Sequence, residues 1–151
     1  MKGCGLMTVK EYLSQVEDLE KNIFDQKQYI ETLRESLTSL GGMNIGADKV
    51  QTSGADKDKF ATVIAKVTDA EEKLKRMEEK FCLLKIQIAE QIHALDDLVL
   101  KRLLELRYLK WKQYGTIRKV ADAMGYSVDH TKKLHRDAVF AFGEMLRQQN
   151  P

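Results

Sequence analysis

The sequence predicts an all-α protein: an N-terminal antiparallel helical hairpin or coiled coil, followed by a small bundle of shorter helices. Three observations predict it. The 151-residue chain holds a single proline, Pro151, in its last position, so the long stretches carry no residue that breaks a helix. Its nine glycines cluster near the start, at 41–54 and towards the end. Apolar residues recur at alternating intervals of three and four along two long segments, which is the spacing of a heptad seam.

Residues 1–7 precede this pattern. They read as a disordered or wrongly assigned start, with Met7 as the alternative first residue. A hairpin is expected over 8–95. Its first helix, about 8–40, carries Val9, Tyr12, Val16, Leu19 and Ile23, then Ile30, Leu33, Leu37 and Leu40, with Gln26 in the one polar slot. Thr8 is placed to cap it, and Glu11 three residues on completes a capping box. Gly41 and Gly42 are expected to end it. The second helix, about 59–95, carries Phe60, Val63, Val67, Ala70, Leu74, Met77, Phe81, Leu84 and Ile88, then Gln91 and Leu95. The charges from Glu71 to Lys80 lie off that seam and read as a solvated face. The connector at 41–58, rich in Gly, Ser, Asp and Asn, has no period and reads as a flexible loop long enough for antiparallel pairing. A seam this narrow needs a partner. The helices pair with each other, with a second chain as a homodimer, or with both, and Gln26 and Gln91 read as polar positions that set the register.

A second module is expected over 96–147. LVLKRLLELRYL (98–109) reads as a helix with a leucine face, and KWKQYG (110–115) as a turn in which Trp111 and Tyr114 pack against the bundle. Thr116 caps a short helix, Ile117 to Met124, ended by Gly125 as a left-handed residue. Ser127 caps the next, from Val128 to about Arg147. Ile117, Val120 and Met124 point inward from the first, and Val128, Leu134, Ala138 and Val139 from the second. Ala121, four residues before Gly125, is small enough for the two to cross closely. This is the layout of a helix-turn-helix, whose second helix enters the major groove of double-stranded DNA.

The candidate DNA-binding residues follow from that layout. Asp129, His130, Lys132, Lys133 and Arg136 are left outward, and Ser127 sits with His130 at the helix start. Lys132, Lys133 and Arg136 suit phosphates or guanine edges. Arg118 and Lys119 stand in the first turn of their helix, where cations oppose the helix dipole; a DNA phosphate there removes the conflict. Charge agrees. Between Arg107 and Arg136 eight Lys/Arg face two Asp, a local +6 in a chain whose formal total is +2, so the remainder carries −4. A cationic segment in an otherwise acidic chain suggests a polyanionic partner for that segment.

Other classes find no support. No apolar run approaches the roughly 20 residues of a membrane span, and the opening MKGCGLMTVKEYL lacks the apolar core of a secretory signal. Cys4 and Cys82 read as free thiols in a reducing cytoplasm. His93, read as half-buried, and the diverging pair His130 and His135 lack metal-ligand spacing. GGMNIG lacks the lysine and preceding strand of a phosphate loop. No enzyme, metal site or cofactor is expected.

LLELRYL (103–109) followed by KVADAMGYSVDHTKKLHRDA (119–138) resembles region 4 of bacterial sigma factors, a leucine-rich helix followed by a helix-turn-helix. In the order of its parts from Met7 onward the chain is more similar to small phage proteins with this sigma-like C-terminus, related to the ArpU and RinA-type regulators of phage late genes. The resemblance implies promoter-region DNA binding and contact with host RNA polymerase. The chain departs from it in three ways. Thr131 replaces a Val or Ile that packs the recognition helix, so its hydroxyl needs a partner, expected to be a backbone carbonyl one turn back. Arg118 and Lys119 replace an acidic pair. No segment matches the region that melts promoters. The functional expectation is a phage-encoded transcriptional regulator. Two alternatives stand beside it: an adaptor that binds RNA polymerase or another protein without strong DNA binding, and a small DNA-packaging subunit.

Overall fold

In the computed structural model the described residues are 7–45 and 54–149, with side chains described for all of them except 41–45 and 54–56. Expectations for residues 1–6 and for the middle of the connector lie outside them. The described residues form six α-helices and one π-helical turn, with no strand: α1 (Val9–Ile45), α2 (Gly54–His93), α3 (Leu98–Leu104), the π-turn (Glu105–Leu109), α4 (Trp111–Tyr114), α5 (Ile117–Met124) and α6 (Val128–Gln149). No helix among them is long and apolar enough to cross a membrane.

Local chemistry explains most of the ends. The Thr8 amide donates to Glu11 Oε1 at 2.7 Å and the Glu11 amide to Thr8 Oγ1 at 3.1 Å, the reciprocal capping box. Asp97 caps α3 by accepting from the amides of Val99 (2.9 Å) and Leu100 (3.1 Å). Two expectations are corrected. Helix α1 passes through Gly41 and Gly42 to Ile45, and α2 already begins at Gly54. Glycine costs a helix only about 1 kcal/mol per residue, so a glycine pair weakens a helix without ending it. The connector expected over 41–58 is correspondingly shorter. At its other end α2 stops at His93, two residues before the expected 95.

The LLELRYL segment holds a feature the periodicity hides. After Leu104 the helix widens, and the Lys110 amide donates to Glu105 O at 3.0 Å, five residues back. The extra residue in this turn buries both Leu106 and Tyr108. A short helix, α4, then occupies most of the expected turn at 110–115, and Trp111 and Tyr114 pack against the core as expected. Gly115 closes α4 under a steric constraint: a Cβ there meets the Trp111 carbonyl oxygen at 2.4 Å. Gly115→Ala therefore forces the backbone to move and lowers stability by about 1–3 kcal/mol, the usual range for overpacking. A thermal melt of the variant checks this.

The chain packs as two compact units, Met1–Leu19 with Phe81–Pro151, and Glu20–Lys80. The division falls inside the two long helices, not between 95 and 96, where a module boundary was expected. In the second unit α1 and α2 bury Ile23, Ile30 and Ala70. Gln26 Nε2 donates to the Ala70 carbonyl at 3.0 Å, so this polar slot holds a bond between helices. Lys27 faces Glu78 at 3.6 Å, and Arg34 pairs with Glu71, so the partner number falls along α2 as it rises along α1. These pairs are half exposed and contribute at most about 1 kcal/mol each.

The first unit holds the main core. Leu13 and Val16 of α1 and Ile88 and Ile92 of α2 join Leu103, Leu104, Tyr108, Val120, Ala138 and Phe142 in one buried cluster. Gln91, the other polar slot, accepts from Tyr12 Oη at 2.6 Å, and Tyr12 Oη accepts from Gln87 Nε2 at 3.1 Å. The cluster fixes α5 and α6 from behind.

Candidate nucleic-acid interface

Helix α5 starts at Thr116, in extended backbone (φ −125°, ψ 154°), whose hydroxyl accepts from the Lys119 amide at 3.2 Å. It ends at Gly125, the one glycine with positive φ among the described residues (78°). The amides of Gly125 and Tyr126 both donate to the Ala121 carbonyl, at 2.9 and 3.0 Å, and the left-handed residue turns the chain out of the helix. Ala121 is buried. Helix α6 begins at Val128, three residues after Gly125. Ser127 Oγ caps it by accepting from the His130 amide at 3.1 Å.

Thr131 faces inward and is fully buried, and its hydroxyl donates to the Ser127 carbonyl at 2.8 Å, the partner one turn back that its position requires. With Ala138 and Phe142 also buried, the orientation of α6 is fixed. Asp129, Lys132, Lys133 and Arg136 then fall within about 100° of arc on the opposite side. All eight residues singled out from the sequence, Arg118, Lys119, Ser127, Asp129, His130, Lys132, Lys133 and Arg136, are exposed on this unit. None of the five cations among them makes an ion pair with a described residue. Asp129 sits in the first turn of α6, where the helix dipole favours an anion.

Two residues outside the sequence-derived set bear on the face. Tyr126, in the turn, meets the His130 ring edge-on at a centroid distance of 5.0 Å and holds that ring at the start of α6. Only the three-dimensional turn brings them together. Arg107 belongs to the cationic stretch by sequence, yet it is turned inward: it lies 3.7 Å from Glu17, an ion pair too long for a hydrogen bond, and 4.9 Å from the Tyr108 ring. The exposed cationic face is smaller than the count from sequence by at least this residue.

Behind the face, His135 Nε2 and Tyr108 Oη are 2.7 Å apart. Burial, then the charges of Lys10 and Arg107, push the His135 pKa down to about 4, so the ring is neutral near pH 7. Burial raises the Tyr108 pKa, so the phenol keeps its proton, and the two groups share a hydrogen bond whose direction follows the His135 tautomer. His135 is a structural residue, unlike the exposed His130. His93, expected half-buried, is exposed. No group of three or more His, Cys, Asp or Glu able to hold a metal ion occurs among the described residues. Cys82 is an exposed free thiol, and Cys4 lies outside the described residues.

No family model, curated protein or solved structure matches the chain.

Proposed function

We propose that the protein is a DNA-binding transcriptional regulator encoded by a phage or prophage, with α5 and α6 acting as a helix-turn-helix on double-stranded DNA. One observation carries the reading. The buried Ala121 and Thr131 and the left-handed Gly125 leave Lys132, Lys133 and Arg136 outward on α6, and like the exposed Arg118 and Lys119 of α5 they have no ion pair with a described residue. Unpaired cations clustered on one surface have kept their solvation, so they are free to exchange it for phosphates and to release condensed counterions. Helix α6 has the length and the polar face to lie in a major groove, with His130 and Asp129 near base edges. The resemblance of LLELRYL and the segment after it to sigma-like phage proteins supports promoter regions as the target and host RNA polymerase as a partner. The α1–α2 pair is read as an antiparallel helical hairpin.

Fluorescence anisotropy on a duplex of arbitrary sequence, across a salt series, tests the reading. The expected result is steep salt dependence for the wild type. For the Lys132→Ala/Lys133→Ala/Arg136→Ala variant the log–log slope is expected to be shallower by about two to three. Equal binding by the two proteins, or no binding at low salt, overturns the assignment of α6 to DNA.

A further inference from the structure

A second surface lies on the C-terminal half of α6 and shares Arg136 with the residues assigned to DNA. The start of α1 and the C-terminal half of α6 form an open groove of about 430 Å³, floored by Val9, Val139, Phe140 and Gly143. Phe140 is 68% exposed, whereas Phe142 on the same helix is fully buried. Its place in the groove sets it apart from a lone surface phenylalanine: it stands beside two aliphatic side chains, and together they make an apolar patch.

The rim carries charge of one sign. Lys10, Arg136 and Arg147 line the groove, and no carboxylate does. Lys10 and Arg136 have no ion pair with a described residue, while Arg147 pairs with Glu144 on its own helix. Glu11, the nearest acid in sequence to Lys10, is bound to the Thr8 amide.

We propose that this groove binds an acidic amphipathic segment of a partner protein, its apolar side chains against Val139 and Phe140 and its carboxylates on Lys10 and Arg136. An apolar floor with cations at its edge matches both faces of such a segment. A phosphate backbone matches the cations alone and leaves the phenylalanine face in water. The proposal does not rest on the DNA reading, although Arg136 belongs to both surfaces.

The test uses the full chain and a labelled synthetic helix of about 15 residues, with Leu and Phe spaced three and four apart and Glu elsewhere. A scrambled peptide and a Lys-for-Glu peptide serve as controls. Anisotropy is expected to show binding about tenfold tighter than either control, a difference of about 1.4 kcal/mol. Phe140→Glu and Lys10→Glu, both at exposed positions, are each expected to weaken it by about tenfold with unchanged circular-dichroism melts. Lys132→Ala is expected to leave it unchanged. Equal binding of the scrambled peptide, or full binding by Phe140→Glu, overturns the proposal. So does self-association of the wild type that Phe140→Glu abolishes, which makes a second copy the occupant. If no peptide binds and Lys10→Glu lowers the salt slope for duplex DNA, the rim belongs to the DNA footprint and the proposal fails.

Discussion

Phe142→Ala should lower the stability of the first unit by about 3–5 kcal/mol, the range for removing a buried aromatic ring. The position explains why the upper part of that range is expected. Phe142 is fully buried and is the largest such side chain among the described residues. It belongs to the cluster that joins Leu13 and Val16 of α1, Ile88 and Ile92 of α2, Leu103 and Leu104 of α3 and Val120 of α5. Its ring lies 6.1 Å from that of Tyr12, which is tied in turn to Gln91. The cavity left behind is bordered by several helices, each held by other contacts, so collapse around it is limited. The measurement is a urea unfolding curve followed by the fluorescence of Trp111, which packs on the same cluster. The midpoint should fall with little change in slope. Phe140→Ala, two residues away and mostly exposed, should move it by less than about 0.5 kcal/mol. Similar effects from the two substitutions would contradict the assignment of the core.

The same residues show what could be read from the sequence. The caps were legible because each is a local bargain between neighbours: Thr8 with Glu11, Thr116 with Lys119, Ser127 with His130. So was Gly125, where the turn after Met124 requires a left-handed residue, and so was the outward set on α6, because the helical period fixes which side chains share a face. Gln26 and Gln91 stood out as interruptions of a seam, and both bond across to the other long helix. Periodicity tells which face is buried and not what buries it. Val16 and Ile88 fit a simple two-helix seam equally well, and Leu13 and Ile92 fall one position off the seam read from the sequence, so the place of all four in the core beneath α5 and α6 could not be read. Widening LLELRYL into a π-turn leaves its apolar pattern almost unchanged, and so hides the burial of Tyr108 and its meeting with His135. The inward turn of Arg107 depends on Glu17, 90 positions earlier in the chain, which no local pattern relates to it.

That meeting of Tyr108 and His135 sets the expected response to acid. The unfolded imidazole takes a proton near pH 6.5, whereas in the fold its pKa is pushed down to about 4, by burial first and by Lys10 and Arg107 after it. Between these values the unfolded chain binds more protons than the folded one, so stability rises with pH there. The contribution of the neutral ring is complete above about 6.5 and is lost as the pH falls towards 4. The neighbouring charges give the same sign, since protonation places a third positive charge beside Lys10 and Arg107. The urea midpoint of the wild type should therefore be level above pH 6.5 and decline below it. His135→Gln keeps a polar side chain at the site and has no imidazole to titrate, so its midpoint should stay nearly level down to about pH 5, where carboxylates begin to take protons. A variant that declines as steeply as the wild type between pH 6.5 and 5 would show that another group carries the response. Because His135 lies between Lys133 and Arg136 in sequence, loss of its anchor to Tyr108 acts on the helix that presents them. Duplex binding should thus weaken in Tyr108→Phe at pH 7, even though Tyr108 itself is buried.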